Sequence, residues 1–188
     1  ALTTGGPVTS TAAYAAAASL DPAAEAALYA GLAGLGVAGL EQPFFGSLHR
    51  RDEGWLLGQL RPEWTFVLTL LPGVMDRLKE NSGLGLACAG KDGRARALDF
   101  AWSALRAIER LNLRMGRQAV LAVELHSSPR RSENVKSSVS AFADSLSQLR
   151  QKLYGELPHL ARIDQIAPGD TGGFERVALL AGQLGIEA

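Results

Sequence analysis

Strand-like and helix-like segments alternate along the 188 residues, and that alternation predicts an α/β domain with a mainly parallel sheet. Three observations carry the expectation. The run Trp64 to Leu71 is apolar on both faces, as a parallel strand buried between two layers is, and Ala119 to His126 is the clearest strand in the chain. A helix is strongly signalled between them, from Arg94 to about Met115, because Ala97, Phe100, Ala101, Ala104, Leu105, Ile108 and Leu111 form one apolar stripe. Breakers such as Pro72-Gly73, Gly116 and Ser127-Ser128-Pro129 close the segments.

In chain order, a degenerate first strand falls at Thr11 to Ala17. Asp21-Pro22 then starts a helix, since Asp caps free N–H groups and Pro at the first helical position has none to lose. This helix runs to about Gly34, with Ala24, Leu28, Leu32 and Leu35 at helical spacing. Val37 to Glu41 forms a short strand that leads into the loop Gln42 to His49. Asp52 to Leu60 is a short helix before the strand at Trp64. The stretch Val74 to Gly93 reads as an irregular connection broken at Asn81-Ser82-Gly83 and Lys91-Asp92-Gly93. After the strand Ala119 to His126 come an amphipathic helix from about Asn134 to Tyr154, a weaker strand near Ala161 to Ile166, and a last helix from about Thr171 to Leu184. This gives about five strand–helix units, against the eight units and roughly 250 residues of a complete barrel, so an open, shortened or incomplete version is expected.

The length suits a single domain over residues 1–188. Nineteen basic residues balance nineteen acidic ones, which removes the broad attraction that draws proteins to nucleic acid or anionic membranes. No charge-free apolar window is long enough to span a bilayer. Ala1 to Leu20 lacks the basic start and long Leu/Ile/Val core of a signal peptide, although without an initiating Met processing upstream stays open. The single cysteine, Cys88, allows no internal disulfide and fits a reducing, cytoplasmic compartment.

Parallel α/β folds collect reactive groups at the C-terminal ends of strands. That rule selects Glu41 to His49, Leu70 to Gly73 and Glu124 to Ser127. Glu124 and His126 stand two residues apart on one strand, so both leave the same face, with Val120 and Ala122 beside them. A carboxylate and an imidazole together suit divalent-metal binding or proton transfer next to a carbonyl. The alternative is a strand-end Glu that accepts hydrogen bonds and a His that caps the turn. His49, beside Phe44 and Phe45, is either a group for a substrate hydroxyl or phosphate or a loop histidine. His159 and the pair Arg130-Arg131 read as surface groups, Cys88 as structural, and Trp55, Trp64 and Trp102 as core. No phosphate loop of nucleotide-binding spacing is present.

The segments Gly39 to His49, Leu71 to Met75 and Ala122 to Ser127 resemble an uncharacterised bacterial family within the xylose-isomerase-like TIM-barrel superfamily, over about Ala13 to Leu149. The Val123-Glu124-Leu125-His126 strand end is the most specific part. The resemblance implies a TIM-barrel-like arrangement, here partial or shortened, and a sugar or sugar-phosphate isomerase or epimerase assisted by a divalent ion such as Mn, Mg, Zn or Co. It implies Glu124 as metal ligand and proton acceptor, His126 as a catalytic group, and His49, Phe45 and Ser127 as substrate-binding residues. The superfamily's remaining ligands come from later strands, and after Leu149 no matching acidic or His-bearing strand is found; Asp164 is a poor substitute. The competing function is a non-catalytic carbohydrate-binding or interaction domain, with a homo-oligomer as one way to cover open sheet edges.

Overall fold

A computed structural model describes residues 8–10, 21–127, 136–156 and 166–168. Five parallel strands are hydrogen-bonded in sequence order: β1 (Val8–Ser10), β2 (Gly39–Pro43), β3 (Thr65–Thr69), β4 (Val120–Leu125) and β5 (Ile166–Pro168). Five helices are described: α1 (Pro22–Gly34), α2 (Glu53–Gln59), α3 (Leu71–Glu80), α4 (Lys91–Met115) and α5 (Val139–Glu156).

This sheet overturns the expected TIM-barrel-like series of about five βα units. It is open: β2, β3 and β4 are its full strands, and the three-residue β1 and β5 lie at opposite edges. Barrel closure requires the two edges to pair, and among the described residues they do not. The one-strand, one-helix rhythm also fails, because α3 and α4 both lie between β3 and β4.

Local chemistry explains most element boundaries. The Asp21 carboxylate accepts from the Ala23 and Ala24 amides at 2.9 and 3.2 Å and starts α1, and Asp52 accepts from the Trp55 amide at 2.9 Å to start α2. Gly116, at φ 64°, ends α4 in the left-handed conformation. The irregular connection expected over Val74 to Gly93 is helical at its start, because α3 runs Leu71–Glu80, and is irregular only over 81–90, before α4 begins at Lys91. Pro72 occupies the first turn of α3, where a missing N–H costs nothing. Gly73 serves close packing rather than a turn: a Cβ there would lie 2.5 Å from both the Phe100 ring and the Phe44 carbonyl oxygen. The expected strand at Thr11 to Ala17 and the helix at Thr171 to Leu184 lie outside the described residues.

One sheet face packs on the helices. Leu40, Phe66, Leu68, Val123 and Leu125 join Leu32 of α1, Leu56 of α2, Val74 of α3, Phe100 and Ile108 of α4, and Phe142 and Leu146 of α5 in one buried cluster. A bulge sets the two faces of β4. Phe66 pairs with Val120 but Val67 pairs with Ala122, so Leu121 is the extra residue. Val120 therefore joins the helix-covered face while Ala122 and Glu124 share the other, which corrects the expectation that Val120 and Ala122 point together. With a neighbour on each side, β4 is an interior strand, and its Val123 amide should exchange with solvent only near global unfolding. Native-state hydrogen exchange checks this; protection at Val123 no greater than in the last turn of α5 would contradict it.

Candidate functional site at the strand ends

Opposite the helices, residues in register form two rows across the sheet. Glu41, Val67 and Ala122 make one, and Pro43, Thr69 and Glu124 make the next toward the C-terminal ends. The second row holds the chemistry. The Thr69 hydroxyl donates to Glu124 Oε2 at 2.7 Å. Thr69 is buried and Glu124 half-buried, so a fixed donor aims a carboxylate that retains access to solvent. The Glu124 carbonyl accepts from the Leu70 amide at 3.1 Å, which anchors the start of α3 beside it. Thr69 belongs to no motif around Glu124. Its signal is the alternation Thr65, Val67, Thr69 against Phe66 and Leu68, which marks a second, more polar face of β3 and corrects the expectation that this strand is apolar on both faces.

The other candidates divide. His126 lies one residue past β4, where strand alternation no longer applies. It lines a tight apolar pocket of about 10 Å³ with Leu70, Val74, Leu86, Phe100 and others, against α3 and α4. Glu124 and His126 thus serve different surroundings. The Ser127 carbonyl accepts from the Ala87 amide at 2.9 Å, and Ser145 Oγ donates to the Leu86 carbonyl at 2.7 Å. The segment after α3 is thereby tied to the exit of β4 and to α5. Cys88 is buried in that segment and pairs in a short bridge with Ser137.

His49 is 7% exposed and belongs to a separate buried cluster. Its Nδ1 accepts from the Arg51 and Asp52 amides at 3.2 and 2.9 Å, so the hydrogen resides on Nε2, which reaches the Glu25 carboxylate at 3.1 Å. Arg51 also reaches Glu25, at 3.4 Å, and the imidazole packs against Trp55. With both nitrogens engaged, His49 joins α1 to the start of α2 and is not gathered with Glu124. Phe45 is a strut in the same loop. One face of its ring is covered by the Arg50 guanidinium at 3.8 Å, and its carbonyl accepts from Arg77 at 3.0 Å. Gly46, at φ 114°, passes so close that a Cβ would lie 2.9 Å from Arg77. His159, Arg130, Arg131 and Asp164 lie outside the described residues.

Among the described residues no three His, Cys, Asp or Glu side chains converge as metal ligands would. Glu124 has a threonine rather than a second carboxylate or imidazole as its bonded neighbour, so the described residues do not fit the expected divalent ion. Further ligands for such an ion would have to come from elsewhere.

A family model described as Domain of unknown function (DUF4862) matches residues 11–158. The chain belongs to this family. The matched span contains β2, β3 and β4 together with Glu124, Thr69, His126, Ser127, His49 and Phe45. No curated protein and no solved structure matches the chain. Among the described residues of this DUF4862 member, no helix is long and apolar enough to cross a membrane.

Proposed function

We propose that the protein is a sugar or sugar-phosphate isomerase or epimerase that moves a proton at a carbon next to a carbonyl, with Glu124 as the proton acceptor. The observation that carries this reading is the Thr69–Glu124 pair at the C-terminal ends of two interior strands. One carboxylate oxygen is held by a buried hydroxyl, and the other accepts no hydrogen bond from the described residues, so it is the atom presented to substrate. Abstraction by a positioned carboxylate contributes on the order of 10² to 10⁴ in rate. The substrate class rests on the likeness of the Val123 to His126 strand end to sugar isomerases. Its one cysteine, buried Cys88, suits a reducing compartment, and the reading places the protein in the cytoplasm.

The test is an assay of the purified protein against aldoses, ketoses and their monophosphates, with Mg²⁺ and Mn²⁺ supplied and withheld. Interconversion of at least one aldose–ketose or epimer pair is expected. Saturable binding of a sugar without turnover would replace this reading with a non-catalytic carbohydrate-binding domain.

A further inference from the structure

We propose a second site, a crevice at the opposite end of the sheet that binds the phosphate group of a small phosphate monoester. The crevice has a volume of about 320 Å³ and is lined by Tyr29 of α1, Gln59 and Leu60 at the end of α2, Arg61 and Pro62 in the turn before β3, and Arg114 in the last turn of α4, among others. That volume lies at the small end of the range for ligand pockets, roughly 300–1,000 Å³.

Its charge is one-sided. No Asp or Glu among the described residues lines it; Glu63 follows Pro62 but stands outside the lining. Arg50, Arg94, Arg106 and Arg110 each face a carboxylate. Arg61 and Arg114 face none among the described residues. Arg114 Nε donates to the Leu57 carbonyl at 2.8 Å, which orients the side chain and leaves its two terminal nitrogens for a ligand. Arg117 donates to the Pro62 and Trp64 carbonyls at 3.1 and 2.7 Å and fixes the wall beside them. These contacts also cover carbonyls at the end of α2 and in the following turn that would otherwise repel an anion.

A second, independent observation is Tyr29. Its side chain is 3% exposed and its ring sits between Trp55 and Trp64, at centroid distances of 6.4 and 6.5 Å. Its hydroxyl has no hydrogen-bond partner among the described residues and is not sealed in the core, and Tyr29 lines the crevice, so the phenol is a donor left for a ligand there. Burial first, and then the Glu25 carboxylate one turn earlier, push that hydroxyl well above the ordinary tyrosine range, so it stays a donor. The crevice is thus lined by two arginines, a tyrosine and a glutamine, the donor types a phosphate dianion takes.

The test is titration of the full chain with inorganic phosphate and with glycerol 3-phosphate, at constant ionic strength set by chloride, followed by calorimetry and by Tm. Saturable binding and a rise in Tm are expected. Arg61→Ala removes a guanidinium that holds no other hydrogen bond or ion pair among the described residues, and should weaken binding at least about tenfold while leaving the ligand-free Tm unchanged. Tyr29→Phe deletes the hydroxyl alone and should weaken binding several-fold. Arg61→Ala that binds phosphate as the unsubstituted protein does, or the absence of saturable binding, would overturn the proposal. Glu124→Gln should bind phosphate undiminished, so this site and the proton-transfer site stand or fall separately.

Discussion

Glu25→Ala should destabilise the protein by about 3 kcal/mol, the expected result of stripping one partner from a buried ionic hydrogen bond. Glu25 is 1% exposed, and its carboxylate accepts from His49 Nε2 at 3.1 and 3.2 Å and from Arg51 at 3.4 Å. Alanine would leave the His49 N–H buried without an acceptor. The ring cannot simply turn away, because its Nδ1 is held by two backbone amides at the entry to α2. Glu25→Gln keeps a neutral oxygen for the same N–H and should cost about half as much. Urea unfolding of the three proteins checks this. Equal stability of Glu25→Ala and the unsubstituted protein would mean that α1 is not joined to the α2 entry through this cluster.

The second large effect concerns turnover. Glu124→Gln should lower kcat on the substrate identified by the sugar assay by at least about 100-fold, the usual scale of a positioned proton acceptor. Gln retains an oxygen for the Thr69 hydroxyl, so the fold should change by no more than about 0.5 kcal/mol. Thr69→Val removes the donor that aims the carboxylate while preserving shape, and should lower kcat less than Glu124→Gln does. A Glu124→Gln protein with unchanged kcat and unchanged stability would remove Glu124 from the chemistry.

The features legible in the sequence were those written within a few residues. Asp21-Pro22 gave the start of α1 to the residue, and the apolar stripe from Ala97 to Leu111 gave most of α4. Glu124 stood out because a carboxylate in the apolar run of β4 needs a reason. What stayed hidden depended on distance along the chain. His49 pairs with Glu25, 24 residues away, and Glu124 with Thr69, 55 residues away. No local spacing reports either contact. The β4 bulge was invisible for a related reason: strict alternation put Val120 and Ala122 on one face, and only the register with β3 shows Leu121 as the inserted residue. Helix α3 was lost to Pro72-Gly73, a pair that reads as a stop but here supplies a first-turn proline and a close approach to Phe44 and Phe100. The barrel expectation failed because closure is decided by pairing between the first and last strands, which the βα rhythm does not encode.

Proton transfer by Glu124 is tested most directly by incubating the protein in D₂O with the active sugar and following the carbon next to the carbonyl by NMR. Proton abstraction predicts exchange of that hydrogen for deuterium, with at least about a 100-fold slower exchange by Glu124→Gln. Conversion without any exchange, or exchange at equal rates by the two proteins, would contradict the role assigned to Glu124.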